Sequence, residues 1–286
     1  MPIPHEPAMS EPFFDLKPTH NPHRWYLPLN PGICVGPPGQ MFMFGGIGLA
    51  SAIAAMERTL ERPVIWATAQ YLSYARPPSI VDLDVWVPAH GHNTSQARVV
   101  GHVGDKEILT VNAALGSRPG EISHQWAAPP PDMPPPEACE RSHVWPVEGD
   151  NLNARIEIRF AKGRYGDRPR DGVLGDGRMV IWVRPVGDHP IDAGMLAVFA
   201  DYVPSGIGAA LGRMGGGNSL DNTLRIRRIV PTQWVLCDIQ IVGIHAGFAH
   251  GNMNLFSEDG ELMASASQSV IVRMMRDDPE GRLRKS

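Results

Sequence analysis

Cysteine is scarce and unpatterned in this chain of 286 residues: Cys34, Cys139 and Cys237 lie far apart, odd in number and without CxxC spacing. They read as free thiols of a reducing compartment, and form neither a disulfide framework nor a zinc site. An excess of one charge is also missing. The net charge is −4 with 20% charged residues, and the one basic concentration is a short end around Arg282, Arg284 and Lys285. That end reads as a solvated terminus, so no nucleic-acid partner is expected. No uninterrupted apolar stretch approaches the ~18 residues a bilayer demands, so no membrane span is expected. The first residues, MPIPHEPAMSEPFFDL, have no basic start followed by an apolar run; no signal peptide is expected and the expected location is the cytoplasm. No P-loop, GxSxG or HExxH is present, nor a GxGxxG leading into a helix, which removes the commonest signatures of nucleotide binding, serine nucleophiles and zinc hydrolysis.

What is present is a core. Hydrophobic residues make up 43% of the chain, enough for two ordinary domains or one large one. Proline crowds one place, RPGEISHQWAAPPPDMPPPEACERSHVWPVEGD, residues 118–150. Proline lacks a backbone donor and fixes φ, so this run cannot sit inside a helix or a central strand. It reads as a stiff, extended connection, held on the surface by Trp126 and Trp145. The chain then divides into residues 1–117, the linker 118–150, residues 151–275 and a polar tail 276–286.

Before the linker a strand over 24–29 precedes the loop GICVGPPGQ and a helix over 47–60 whose apolar and small residues run nearly all round, a pattern that predicts burial on most sides. Strands follow at 64–74, 80–88, 95–103 and 107–115. In IVDLDVWVP, 80–88, apolar and polar residues alternate with period two, and Gly104-Asp105 suits a hairpin turn. After the linker the order recurs. Strands are predicted at 153–160 and 178–185, a helix over 191–212 carrying Asp201 and interrupted at Pro204, and strands at 219–230, 234–244, 248–257 and 261–273. The glycine-rich GRMGGGNS, 212–219, reads as a loop. One helix per half has little to pack on except its own curled antiparallel sheet. The expectation is therefore an α+β chain of two fused hotdog repeats, joined edge to edge.

The two halves end alike. An offset of 154 residues sets HVGDKEILTVNAAL on FSEDGELMASASQS with Glu107 on Glu261, the mark of a duplicated unit. At that offset Asp201 falls on Ile47 and Gln268 on Ala114. Neither replacement can move a proton or orient a water, so one competent site per chain is expected.

The segments FGGIGLASAIAAM, SLDNTLRIRR and GFAHGNMNLFSEDGELMASASQSVIVR resemble the acyl-CoA thioesterase II family of double-hotdog enzymes over roughly residues 40–116 and 178–273. The resemblance implies hydrolysis of acyl-CoA, with CoA as part of the substrate and no further cofactor or metal. It implies a water held by Asp201 of the second helix, Ser219 and Gln268. Serine stands at 219 where many members have threonine, and Arg225, Arg227 and Arg228 replace aromatic or histidine residues on a strand expected to shape the pocket. Chemically the set is coherent. A carboxylate accepts a proton from water while a hydroxyl and an amide fix the water's orientation. Backbone N–H groups at Gly45-Gly46 are candidate oxyanion donors at a helix N-terminus. Asp221 is a reserve acid. Each has a plain structural alternative: Asp201 bonding backbone freed near Pro204, Ser219 a strand-start hydroxyl, Gln268 an outer-face residue, the glycines a tight helix entry. His245 and His250 are read as structural or pocket-lining. Two other functions stay open: a non-catalytic acyl-CoA-binding module, and a hydratase or dehydratase, against which counts the lack of a histidine between Asp201 and His245. A homodimer or larger assembly is expected by analogy with other hotdog chains.

Overall fold

In the first half the helix is α1, Gly45–Leu60, with Gly46 to Ile53, Ala55 and Met56 all buried. It stops where Glu61 takes a left-handed conformation, and Pro63 two residues on cannot continue it. Around it run β1 (Arg24–Pro28), β2 (Val64–Tyr71), β3 (Ile80–His90), β4 (Thr94–Val103) and β5 (Lys106–Gly116). The computed structural model describes residues 12–142, 149–163, 174–212, 215–277 and 283–285.

The second half carries β6 (Ile156–Lys162), β7 (Arg178–Pro185), α2 (Ala193–Ala200), α3 (Gly206–Leu211), β8 (Gly215–Ser219), β9 (Asp221–Ile226), β10 (Val235–His245), β11 (Phe248–Ser257) and β12 (Leu262–Asp277). The main strands form one antiparallel sheet in the order β1-β3-β4-β5-β2-β9-β12-β11-β10-β7-β6. The two halves meet at the β2–β9 seam, where Asn222 pairs with Ala69 and Thr223 with Thr68, and the two threonine hydroxyls bond at 2.7 Å. Helices and inner sheet faces share one hydrophobic core drawn from both halves. The fold is α+β and duplicated hotdog, as expected.

Several local readings change. The predicted strand 153–160 begins with a helical turn, Leu152–Arg155, because the Asn151 side chain accepts from Ala154 N and caps it. The predicted helix 191–212 is two helices: Asp192 caps the first by accepting from Met195 N, and Asp201 ends it. A 3-10 turn, Val203–Ser205, then leads into α3. The segment Ala193–Leu211 is apolar and long enough to cross a membrane by composition, although 78% of its most apolar window is buried within the protein. The expected glycine loop is in its described part a strand, β8, running along β12. Glycine is required there: a Cβ on Gly217 would stand 2.1 Å from Val270 Cγ1.

The linker lies on the outer face of the second half, though not through Trp126. Trp126 is 86% exposed, and Trp145 falls outside the described residues. The attachment is made instead by Gln125, which donates to Gly260 O and accepts from Leu262 N, and by Trp182 Nε1 donating to Pro134 O at 2.9 Å. Cys139, with Ala127 and Met133, adds to a second apolar cluster around Trp182, Trp234 and Phe256.

Ladder register refines the repeat. Asp84 pairs with Val100 as Asp238 pairs with Asn254, in step with the 154-residue offset. The hairpins then differ by one residue. Val103 pairs with Lys106 across Gly104-Asp105, whereas Ser257 N reaches Glu261 O across three residues. Beyond them, Ala97 pairs with Ala113 and Gly251 with Gln268. The counterpart of Gln268 is therefore Ala113, not Ala114.

Candidate active site

Four elements bring the predicted residues together. On β12 the inward row is Ala264, Ala266, Gln268 and Val270, all buried, because side chains alternate across a strand. Ser219 ends β8 beside Val270. Asp201 lies where α2 stops, only 6% exposed. Its Oδ1 accepts from Ser219 Oγ at 3.1 Å and from Gln268 Nε2, and Gln268 Nε2 also reaches Ser219 Oγ at 3.2 Å. Asp201 Oδ2 accepts from Gly46 N of the other half at 2.7 Å.

That last bond depends on a close crossing. A Cβ on Gly46 would stand 2.8 Å from Val198 Cα, so the first turn of α1 lies against the backbone of α2. Gly46 N–H is therefore occupied by a carboxylate and not held open for an oxyanion. Gly45 is packed as closely: a Cβ there would be 2.7 Å from Asp201 Oδ2 and 3.2 Å from Tyr71 Oη, so only glycine lets the carboxylate and the phenol approach this turn.

Burial pushes the Asp201 carboxyl up to about 6, against the opposing pull of its bonds from Gln268, Gly46 and Ser219. Desolvation penalises the charged form, and three donors recover only part of that penalty. The group is an acid and a base within reach of neutral pH. Gln268 Oε1, also buried, has no partner.

Other expectations are corrected. Asp221 belongs to the next strand, and its Oδ1 takes the Ser269 N–H at 2.7 Å; the kink at Leu220 separates it from Ser219, and it is no reserve acid. Arg225 and Arg228 are exposed, and Arg227 bonds Glu261 and Leu262 O, so they do not line the polar cluster. His250 Nδ1 lies 3.2 Å from Ser269 Oγ on an exposed site, and His245 is exposed on the neighbouring strand. Among the described residues no group of three His, Cys, Asp or Glu side chains is placed to hold a metal.

Two residues at the cluster are absent from the sequence-based set. Tyr71 closes the inward row Ala67, Ala69, Tyr71 on β2, and Asn222 is fully buried beside it on β9. Both continue period-two rows of apolar residues, a signal open to reading in the sequence.

A buried polar cluster between two sheet-wrapped helices of a double hotdog is a candidate active site, and comparison with known proteins says of which class. Residues 127–272 match the family model described as acyl-CoA thioesterase C-terminal domain. A crystal structure assigned as a thioesterase from Novosphingobium aromaticivorans is 35% identical, with 90% of this chain and 97% of that one covered and a TM-score of 0.80. An acyl-CoA thioesterase II from Mycobacterium marinum shares the fold at 19% identity, covering 91% and 96%, with a TM-score of 0.70. A hot dog fold protein of unknown function from Alicyclobacillus acidocaldarius does so at 19% identity, covering 90% and 95%, with a TM-score of 0.77. No curated protein matches the sequence significantly. The chain belongs to the acyl-CoA thioesterase family and is a thioester hydrolase.

Proposed function

We propose that the chain hydrolyses acyl-CoA to a free acid and CoA at one site per chain, with a water activated by Asp201, Ser219 and Gln268. The observation that carries the reading is the buried Asp201 carboxylate, bonded to both Ser219 and Gln268 and titrating near 6. The water takes the place beside Asp201 where Gln268 Oε1 has an unused lone pair. One water proton goes to Asp201 and the other bonds Gln268 Oε1. The water oxygen attacks the thioester carbon, and the carbonyl electron pair moves onto oxygen. As that pair returns, the C–S bond breaks. The thiolate leaves and recovers the proton from Asp201, so that acyl-CoA and water balance acid and CoA.

A positioned general base contributes on the order of 10²- to 10⁴-fold in rate. The chemistry needs no metal or redox cofactor. The enzyme is expected to act in the cytoplasm, in acyl-chain metabolism, as a dimer or larger assembly formed along sheet and helix surfaces. The test is thiol release from acyl-CoA thioesters of graded chain length by the wild type and by Asp201→Asn. Hydrolysis by the wild type with a loss of about 10²-fold or more in kcat for the variant supports the mechanism. A wild type that binds acyl-CoA and releases no thiol makes the chain a binding module.

A further inference from the structure

Among the described residues, the buried side-chain polar atoms without a hydrogen-bond partner are Tyr71 Oη, Tyr202 Oη, both amide atoms of Asn222, and Gln268 Oε1. They do not scatter. Gln268 is bonded to Asp201, Tyr202 follows it in the chain, Tyr71 feels its charge, and the Asn222 amide lies against the Tyr71 hydroxyl in a contact looser than a full hydrogen bond. Native interiors pair their buried polar groups, so unpartnered groups gathered in one place mark room for a polar ligand atom. The attacking water accounts for Gln268 Oε1. It leaves the phenol and the amide of the seam unexplained.

Attack on a thioester needs a second polar feature besides the base, a donor aimed at the oxygen that becomes negative. Gly46 N–H, the expected donor, is taken by Asp201 Oδ2. Tyr71 Oη and Asp201 Oδ2 converge on Gly45, 3.2 Å and 2.7 Å from where a Cβ would stand, so the phenol is packed beside the base at the positive end of α1. A carbonyl that reaches the base's water is therefore beside the phenol as well. Tyr202 is less suited, because its hydroxyl lies toward the Cys237 thiol. Burial, with Asp201 beside it, also holds the Tyr71 hydroxyl well above its ordinary range, so it keeps its proton at any working pH.

We propose that Tyr71, carried by the N-terminal repeat, is a catalytic hydrogen-bond donor to the thioester carbonyl oxygen, with Asn222 at its side as a positioning residue. This rests on the hydrolysis reading above. The Tyr71 proton is not transferred. It bonds the oxygen more strongly as the carbonyl pair arrives there and less as the pair returns to expel the thiolate.

Tyr71→Phe tests it by kcat and KM on the best acyl-CoA substrate, across a pH series, with thermal melting of both proteins. The expected result is a kcat on the high-pH plateau lowered by about 10²- to 10³-fold. KM is expected to stay within about threefold and the midpoint of the acid limb unmoved, with at most a small fall in melting temperature from the loose Asn222 contact that the hydroxyl gives up. A kcat within about threefold of wild type overturns the proposal. So does a loss confined to low pH with a shifted acid limb, which would make Tyr71 a partner of Asp201. A wild type that releases no thiol at all removes the hydrolysis reading and this proposal together; an active wild type with an unaffected variant removes this one alone. If Tyr71→Phe fails to fold, 3-fluorotyrosine at position 71 replaces it. A more acidic phenol donates more strongly, so kcat is expected to rise, and an unchanged kcat overturns the role.

Discussion

Asp201 is where activity and stability pull apart. Its folded-state carboxyl titrates near 6, above the ordinary 3.8, so folding favours the protonated form. That contribution to stability is complete below the ordinary value and is lost as pH rises through about 6. The base needs the anion. We therefore expect kcat/KM to fall about tenfold per pH unit below pH 6 and to level off above it; an acid limb near 4 would show that burial does not raise this group. Asp201→Asn should melt no lower than wild type at pH 8, with the difference narrowing toward pH 4, as differential scanning fluorimetry can read. Gln268→Ala should cost about 10² in kcat, because it removes both the donor to Asp201 and the acceptor for water. The family resemblance brought Asp201, Ser219 and Gln268 forward from the sequence, and the three side chains do meet. Asp221 was misplaced because two residues of separation imply a shared face only on an unbroken strand, and Leu220 breaks this one. Tyr71 continues the inward row of β2 and was open to reading by alternation; what the alternation does not record is that Asp201 lies beside it.

The elements place these groups through close contacts between backbones. Gly46 against Val198 is one of them. Gly46→Ala should force the helices apart and cost about 1–3 kcal/mol, a lowered melting temperature together with a loss of turnover; an unaltered melt would mean that the helices do not touch there. Strands with period-two alternation were visible from sequence because burial on one face writes itself into every second residue. The misreadings sit at ends and breaks. Asn151 and Asp192 act as caps through single hydrogen bonds, and β8 is a strand without side chains to announce it. The one-residue difference between hairpins was equally hidden, since it emerges only from which residues face each other.

At the scale of the whole molecule, the polar cluster is drawn from both halves. Gly45, Gly46 and Tyr71 come from the first, and Asp201, Ser219, Asn222 and Gln268 from the second. Ala113, only 1% exposed, stands opposite Gln268 in the first half. Calorimetric titration with a non-hydrolysable acyl-CoA thioether should accordingly saturate at one ligand per chain, and two would mean that the apolar half also binds. The duplication was legible from the offset. That the seam is a paired strand, that the counterpart of Gln268 is Ala113, and that the linker is fastened by Gln125 and Trp182 required three dimensions.

The unbroken β2–β9 seam within one polypeptide has a genetic consequence. A symmetric pair built from two identical single-repeat chains must write every residue twice, so any polar group introduced into one cavity appears in the other and carries its desolvation cost there too. Once the repeats lie in tandem on one chain that obligation ends. Position 268 is free to hold glutamine while position 113 stays alanine, and a substitution that tunes the reacting side need never be tolerated by its twin.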